Sequence, residues 1–215
     1  MRIYLVRHGE TEWNSLGRLL GESDIPLNSQ GKYLADVTGK ALADIPFRAV
    51  FSSPYTRTLQ TADYMIRGRN IPVFTDERIR EITWGEWDGL TAGQIAALGK
   101  KKEFDLFYTD PFRFQGAPGG ETIRQVCDRG RSFLDDLISR PDFADSNVLV
   151  VTHGCSVRGI LNHLYEDPGD YWQGGVPPNC AVNVVWAKGG KTGFLEKDKI
   201  YYDKSLVKNH YTLQP

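Results

Sequence analysis

Residues 3–8 read Ile3-Tyr4-Leu5-Val6-Arg7-His8, a largely apolar run followed by two basic side chains. A short apolar run that stops at charged residues is typical of a buried strand whose carboxyl end opens into a site. Residues 49–52 and 147–152 have the same apolar character, and Arg57 and His153 follow them. Because ligands bind beyond the carboxyl ends of the strands in a parallel sheet, we expect these basic side chains to meet around one site.

Segments with helical patterns lie between these strands. They cover about residues 28–44, 54–68, 119–139 and 156–165, and further strands are predicted at residues 71–75, at 181–187 and from Phe194 onward. Pro54 is expected in the first turn of its helix, where the fixed φ of proline fits. Gly189-Gly190 indicates an edge hairpin, and the last dozen residues are expected to form a polar surface tail. Strands that alternate with helices predict a three-layer α/β/α sandwich with a mostly parallel central sheet.

The stretch from residue 82 to residue 120 departs from this alternation. It concentrates aromatic side chains, and a run of three lysines, residues 100–102, interrupts them. We interpret it as a partly helical insertion that forms a cap over the active site, within a single domain that spans residues 1–215. The aromatic side chains are Trp84, Trp87, Phe104, Phe107, Tyr108, Phe112 and Phe114.

The bulk properties of the chain restrict its partners. The formal net charge of 215 residues is -1, so no overall field favours nucleic acid or an anionic membrane surface. The longest apolar runs are too short to span a membrane, and the apolar part of the N-terminal stretch is too short for a signal peptide. Cys127, Cys155 and Cys180 form no CxxC pair, and their odd number favours reduced thiols. We therefore expect a cytoplasmic protein without nucleic-acid or membrane partners, and the sequence does not indicate its oligomeric state.

The basic residues suit phosphoryl transfer to or from a small phosphorylated molecule. Arg7 and Arg57 are candidates for binding the phosphoryl group, because a guanidinium donates two parallel hydrogen bonds and stays charged. His8 is the candidate nucleophile, since an imidazole titrates near pH ~6.5 and the neighbouring arginines disfavour its cation. His153 could donate a hydrogen bond to a phosphoryl oxygen, and Gly154 would allow a close approach of the backbone. These residues predict a covalent intermediate on His8.

Expelling an alkoxide leaving group also requires a proton donor. Glu81 is the leading candidate for this general acid, and it could later act as the base for an attacking water molecule. Glu77 lies in the same loop and is the rival. Glu121 is expected to start a helix, where a negative charge interacts favourably with the helix dipole.

Other hydrolytic chemistries lack their motifs in this sequence. His8 and His153 are accompanied by no HExxH or DxD cluster, and there is no GxSxG nucleophile elbow. A cysteine-dependent phosphatase would need five residues between its cysteine and an arginine, whereas only two separate Cys155 from Arg158. We predict that no metal and no cofactor takes part.

Five motifs resemble those of the histidine phosphatase superfamily, also called the phosphoglycerate mutase-like family. They occur in the family's order and cover nearly the whole chain, which makes the match far more specific than an RHG triplet alone. The signature is Leu5-Val6-Arg7-His8-Gly9-Glu10-Thr11-Glu12-Trp13-Asn14, the second motif starts Ser52-Ser53-Pro54-Tyr55-Thr56-Arg57, the acid motif spans residues 80–89, a further segment is Gly119-Gly120-Glu121, and the second-histidine motif is Val150-Val151-Thr152-His153-Gly154.

The resemblance implies a role for each matching residue. His8 would become phosphohistidine, and Glu81 would be the proton donor. The phosphate pocket and its rim would be formed by Arg7, His8, Thr11, Asn14, Arg57, His153 and Gly154. The family implies no metal and no nucleotide cofactor.

The family contains both phosphatases and mutases. Mutases carry Thr-Gly where this sequence has Leu20-Gly21, and they tend to carry an arginine where it has Ile82 and a lysine where it has Thr91. Each missing donor would leave charge on a phosphoglycerate unmatched, at a cost of about 1–3 kcal/mol. The aromatic insertion could accept an apolar or ring-bearing leaving group. We therefore favour a histidine acid phosphatase-type enzyme, with a cofactor-dependent phosphoglycerate mutase and an inactive binding module as the alternatives.

Overall fold

The computed structural model describes residues 1–208, which form a six-stranded sheet and seven helices. The strands are β1 (Arg2–Arg7), β2 (Phe47–Ser52), β3 (Val73–Thr75), β4 (Asn147–Thr152), β5 (Val182–Lys188) and β6 (Lys191–Lys199). The helices are α1 (Glu12–Ser15), α2 (Ser29–Ala41), α3 (Thr56–Ile66), α4 (Ala92–Ala97), α5 (Lys101–Thr109), α6 (Ile123–Ser139) and α7 (Gly154–Leu161). None of these helices of the described residues is both long and apolar enough to cross a membrane.

The sheet is mostly parallel, as predicted. Its strand order is β3-β2-β4-β1-β5-β6, in which the first four strands run parallel and the last two add an antiparallel edge. Arg7 pairs with Thr152 at the carboxyl ends of β1 and β4. His8 and His153 therefore leave neighbouring strands at the same edge of the sheet, where α/β proteins bind their ligands.

Helices cover both faces of the sheet. Tyr4 and Val6 of β1 pack into a core with side chains of α2 and α3. Ile3 and Leu5 point to the other face, into a core with side chains of α6 and α7. Because both faces of a central strand are buried, its residues form one continuous apolar run in the sequence. The predicted α/β/α sandwich is confirmed.

α3 and α7 both begin at other residues than predicted. α3 begins two residues after Pro54, so the proline precedes the helix and does not form its first turn. The Ser53 N–H still donates to the Val151 carbonyl (3.0 Å), which keeps the chain extended past the end of β2. α7 begins earlier than predicted, at Gly154, and it ends before a 3₁₀ turn at Asn162–Leu164.

The predicted edge hairpin is confirmed. β5 and β6 are joined at Gly189-Gly190, whose φ angles of +58° and +74° suit a tight two-residue turn. β3 forms the opposite edge and is shorter than predicted, and the side chains of Val73 and Phe74 are exposed there.

The predicted surface tail is wrong at its beginning. A 3₁₀ turn covers Lys204–Leu206, and Leu206 and Val207 pack against the same core as α2 and α3. Apolar contact therefore binds this segment to the body of the protein. Residues 209–215 of the predicted tail lie outside the described residues.

Residues 82–120 are partly helical, as predicted, and contain α4 and α5. Their aromatic side chains form a third core, in which the rings of Trp84 and Phe107 lie 4.6 Å apart between centroids. Trp172, from outside this stretch, joins the core with its ring 5.0 Å from that of Phe107. Aromatic packing thus connects residues 82–120 to the segment that follows α7.

Candidate active site

A cavity opens beyond the carboxyl ends of β1 and β4. The charged and polar side chains that line it include Arg7, His8, Asn14, Glu81 and Tyr108. The rest of its lining is largely apolar and includes Leu19, Leu20, Ile82, Trp84, Phe107 and Trp172. The cavity therefore combines a polar group of the kind that binds anions with an apolar wall.

The hydrogen-bond partner of Nδ1 determines which nitrogen of the His8 ring carries the proton. Nδ1 lies 2.7 Å from the Gly9 carbonyl oxygen, which only accepts hydrogen bonds, so Nδ1 carries the proton and Nε2 carries the lone pair. Burial lowers the pKa of His8 well below 6.5, and the positive charges of Arg57 and Arg7 lower it further, against the effect of the Gly9 bond. The ring is therefore neutral at physiological pH, with a nucleophilic nitrogen at Nε2.

Gly9 allows the chain after His8 to pack closely against α2. A Cβ atom at this position would lie 2.5 Å from the Gly31 carbonyl oxygen of α2, a clash between two backbone segments. The Gly9 N–H donates to the Thr61 hydroxyl (3.0 Å), and the His8 N–H donates to the Thr152 carbonyl (2.8 Å). Close packing against α2 and bonds to α3 and β4 thus fix the backbone that carries the imidazole.

Arg57 lies fully buried in the first turn of α3. Nη1 donates to the Ser23 carbonyl and Nη2 to the Gly21 carbonyl, both at 2.8 Å. Nε donates to Nδ1 of His153 at 3.2 Å. Burial lowers the pKa of Arg57 to about 10, and the nearby Glu81 opposes this shift. The group therefore keeps its positive charge at neutral pH.

Asp88 holds the loop that binds Arg57. Its Oδ1 accepts from the Gly21 N–H (2.7 Å), and its Oδ2 accepts from the N–H (2.9 Å) and the hydroxyl (2.6 Å) of Ser23. The same two residues present their carbonyls to Arg57. Asp88 therefore fixes the guanidinium through the backbone, a function that its place in the acid motif did not reveal.

His153 has protein partners at both ring nitrogens. A guanidinium only donates, so Nδ1 of His153 accepts from Arg57 and Nε2 carries the proton. Nε2 then donates to the Ser53 hydroxyl at 2.8 Å. Burial, followed by the charge of Arg57, lowers the pKa of His153 well below its usual value. Its ring lies 5.1 Å from that of His8 between centroids, so the two histidines do meet.

Arg7 lies between the cavity and the segment that follows α7. Its Nη1 donates to the Pro177 carbonyl (2.6 Å), and its backbone carbonyl accepts from the Cys180 N–H (3.0 Å). A Cβ on Gly154 would lie 2.8 Å from a Val176 methyl and 3.3 Å from Nε of Arg7, so only glycine fits easily there. Within residues 1–208, no group of three or more His, Cys, Asp or Glu side chains could hold a metal ion, and the arginines supply positive charge.

Glu81, and not its rival Glu77, lines the cavity. Its Oε1 accepts from the N–H groups of Ile82 (2.9 Å) and Ser156 (3.2 Å), and its Oε2 accepts from the Cys155 N–H (3.2 Å). Two of these donors belong to the first turn of α7, which begins one residue after His153. The start of α7 therefore positions the carboxyl group beside the histidines.

Thr11 and Asn14, both expected at the rim, differ in position. Asn14 lines the cavity. Thr11 caps α1: its hydroxyl accepts from the Asn14 N–H (3.2 Å), and its N–H donates to the Asn14 side chain (3.1 Å). Thr11 is fully buried and is not part of the cavity lining, so it acts on the site through Asn14.

Comparison with known proteins identifies the family. Residues 3–198 match the histidine phosphatase superfamily (branch 1). The chain belongs to this superfamily. It is 30% identical to phosphoserine phosphatase 1 of Hydrogenobacter thermophilus, over 86% of both chains. It is 31% identical to the probable phosphoglycerate mutase GpmB of Proteus mirabilis, over 86% of this chain and 84% of that protein. The solved structure of Bacillus stearothermophilus YhfR aligns with a TM-score of 0.87 at 30% identity, over 93% of this chain and 97% of that one.

In this superfamily member, Glu121 does not start a helix as expected, because Thr122 caps α6. Its carboxylate accepts from Nε of Arg129 (3.0 Å), from Arg80 (3.0 Å) and from the Thr83 N–H (3.0 Å). Arg129 also donates to the carbonyls of Arg80 (2.6 Å) and Glu81 (3.1 Å). Glu121 and Arg129 thus fix the backbone around Glu81, the candidate acid. Sequence analysis missed this role of the two residues. The only signal for Arg129 is its position on the inward face of α6.

Proposed function

We propose that this superfamily member hydrolyses small phosphate monoesters through a phosphohistidine intermediate on His8. One observation carries the proposal: the neutral His8 ring has its proton on Nδ1, so its nucleophilic Nε2 is available in a cavity that Arg7 and Glu81 also line. Positive charge around a phosphoryl group and an aligned nucleophile are the main requirements for its transfer.

In the first step, Nε2 of His8 forms a bond to phosphorus while the ester P–O bond breaks. Arg7, which lines the cavity, stabilises the negative charge on the equatorial oxygens, and the buried charge of Arg57 adds to this effect from outside the lining. Glu81 gives its proton to the leaving oxygen, so that the product departs as an alcohol. His153 would contribute a hydrogen bond to the phosphoryl group only if its Nε2–H is shared between Ser53 and the substrate.

In the second step, a water molecule attacks phosphorus on the opposite side from Nε2. Glu81, now a carboxylate, takes a proton from the water, the Nε2–P bond breaks, and inorganic phosphate leaves. The net reaction consumes one water molecule and regenerates the neutral imidazole and the protonated acid.

The apolar wall supports a hydrolase whose leaving group is uncharged. We take residues 82–120 as a cap that supplies part of this wall. The indole N–H of Trp172 donates to the Phe107 carbonyl (2.8 Å), so the polar group of this side chain has a partner within the protein. Lys100 and Lys101 pair with carboxylates of their own helix region and do not line the cavity. Burying an unmatched carboxylate or second phosphate against such a wall is unfavourable.

Phosphoglycerate mutase activity is the second candidate, because relatives with that name match most of the chain. A mutase would have to bind a carboxylate as well as the phosphoryl group. Among the described residues, Arg7 is the one cationic side chain in the cavity lining. This lining favours hydrolysis over transfer within phosphoglycerate.

The decisive experiment is to trap the intermediate. Wild-type protein mixed with p-nitrophenyl phosphate and quenched in alkali, where phosphohistidine survives, should yield a peptide phosphorylated at His8 in mass spectrometry. His8→Ala should abolish both the phosphopeptide and turnover. His163→Ala, at a half-buried histidine outside the cavity lining, is the matched control and should retain both. Full turnover in His8→Ala would disprove the mechanism.

A further inference from the structure

Ser53 makes a contact that the proposed mechanism does not use. It is fully buried, and its hydroxyl lies 2.8 Å from Nε2 of His153. Since Arg57 can only donate to Nδ1, Nε2 bears the proton and the Ser53 oxygen accepts it. The hydroxyl therefore occupies the one ring position that Arg57 leaves unsatisfied.

The backbone of Ser53 holds this hydroxyl in a fixed place. Its N–H donates to the Val151 carbonyl of β4 at 3.0 Å, which extends the sheet pairing by one residue. Its own carbonyl accepts from the hydroxyls of Ser52 and Thr58, each at 2.8 Å. An acceptor on such a restrained backbone orients the ring that donates to it.

Arg57 depends on that ring orientation. A guanidinium has five N–H groups, and three of them bond to His153, Gly21 and Ser23. These three bonds leave two N–H groups of Arg57, and the direction of those two groups follows from the plane that the three bonds define. If the His153 ring turns, Nε of Arg57 loses its hydrogen bond. Only the two carbonyls of Gly21 and Ser23 then hold the plane of the guanidinium.

We propose that Ser53 is a positioning residue that holds His153, and through it the guanidinium of Arg57, in the orientation that binds a phosphoryl group. The inference rests on the proposed function for the identity of the anion. The fixed tautomer and the oriented guanidinium do not depend on turnover, so they can be tested separately.

The first test measures the tautomers of the wild-type protein by ¹⁵N NMR of labelled histidine. His153 should carry its proton on Nε2 and His8 on Nδ1, so two buried neutral histidines should show opposite patterns. A proton on Nδ1 of His153 would rule out the bond from Arg57 and overturn the proposal. This test needs neither a substrate nor a variant that folds.

The second test compares Ser53 with a buried hydroxyl residue away from the site. Ser53→Ala should lower kcat for p-nitrophenyl phosphate at least about tenfold, because small losses of alignment are costly in catalysis. It should weaken binding of orthovanadate by a similar factor. Thr38→Val replaces an equally buried hydroxyl on α2, outside the cavity lining, and should change neither.

The outcomes separate this inference from the proposed function. If Ser53→Ala matches Thr38→Val in kcat and in vanadate affinity, and loses only thermal stability, Ser53 is merely structural and the inference fails. If the wild-type protein hydrolyses no phosphomonoester, the proposed function fails, while the tautomers and vanadate binding still decide the role of Ser53.

Discussion

His8 and His153 lie side by side yet have opposite tautomers, because each has a partner with only one hydrogen-bonding capacity. The Gly9 carbonyl can only accept, and the Arg57 guanidinium can only donate. The hydrogen-bond partner at Nδ1 of each ring therefore decides which nitrogen carries the proton. At His8 the free nitrogen is the one required for attack on phosphorus, which links tautomer choice directly to chemistry.

The two histidines should make the protein less stable in acid. Their pKa values are lowered in the folded state, mainly by burial, whereas in the unfolded chain each titrates near ~6.5. Below that pH the unfolded state binds more protons than the folded state. The free energy of unfolding therefore keeps its full value above about pH 6.5 and decreases as the pH falls. Denaturant titrations from about pH 7.5 to pH 5 should show this slope. His8→Gln should flatten it, and an unchanged slope would contradict the burial argument.

Glu81→Gln should affect substrates according to their leaving groups. An alkyl phosphate needs a proton on its leaving oxygen, whereas p-nitrophenolate leaves without one. We expect kcat to fall about 10²–10⁴-fold for the alkyl ester and much less for p-nitrophenyl phosphate. Steady-state rates on both substrates test this. Equal losses would indicate another proton donor, and Glu77→Gln is the control because Glu77 does not line the cavity.

At the scale of elements, the loop around Gly21 and Ser23 connects two motifs that lie far apart in the sequence. Asp88 binds the N–H groups of both residues, and Arg57 binds their carbonyls. Asp88→Asn removes the negative charge that holds three donors and should weaken orthovanadate binding by about 1–3 kcal/mol. Asp36→Asn, at an exposed ion pair on α2, should leave the affinity unchanged. Isothermal titration of both variants decides whether the loop positions Arg57.

Sequence patterns predicted the elements whose side chains are buried on both faces. They missed the features that depend on hydrogen bonds to the backbone. β4 has the predicted bounds, since both of its faces are buried and its apolar run is continuous. Pro54 was misplaced because nothing local shows that Ser53 still pairs with β4. Arg129 and Asp88 hold the site through backbone carbonyls and N–H groups, which leave no mark on residue type or spacing. The catalytic roles assigned to His8 and Glu81 stay predictions until variants are measured.

For the whole molecule, the composition of the cavity wall should determine substrate choice. Wild-type protein should show a higher kcat/KM for 1-naphthyl phosphate than for 3-phosphoglycerate, because the wall offers apolar contact and, within residues 1–208, the lining has no cation besides Arg7 to match a carboxylate. Leu20→Lys places an ammonium group at this wall, and it should improve the ratio for 3-phosphoglycerate roughly fivefold, equivalent to about 1 kcal/mol. A preference for 3-phosphoglycerate in the wild-type protein would contradict the interpretation of the wall.

The pairing of β1 with β4 has a consequence for protein engineering. Alternate residues of β1 enter opposite cores, and the strand ends directly before His8. If β1 paired with β4 one residue out of register, its side chains would enter the wrong cores. The same shift would also misplace the imidazole of His8. If variants of β1 are selected only for thermal stability, the survivors should therefore keep His8 in place, even though none of them is screened for turnover.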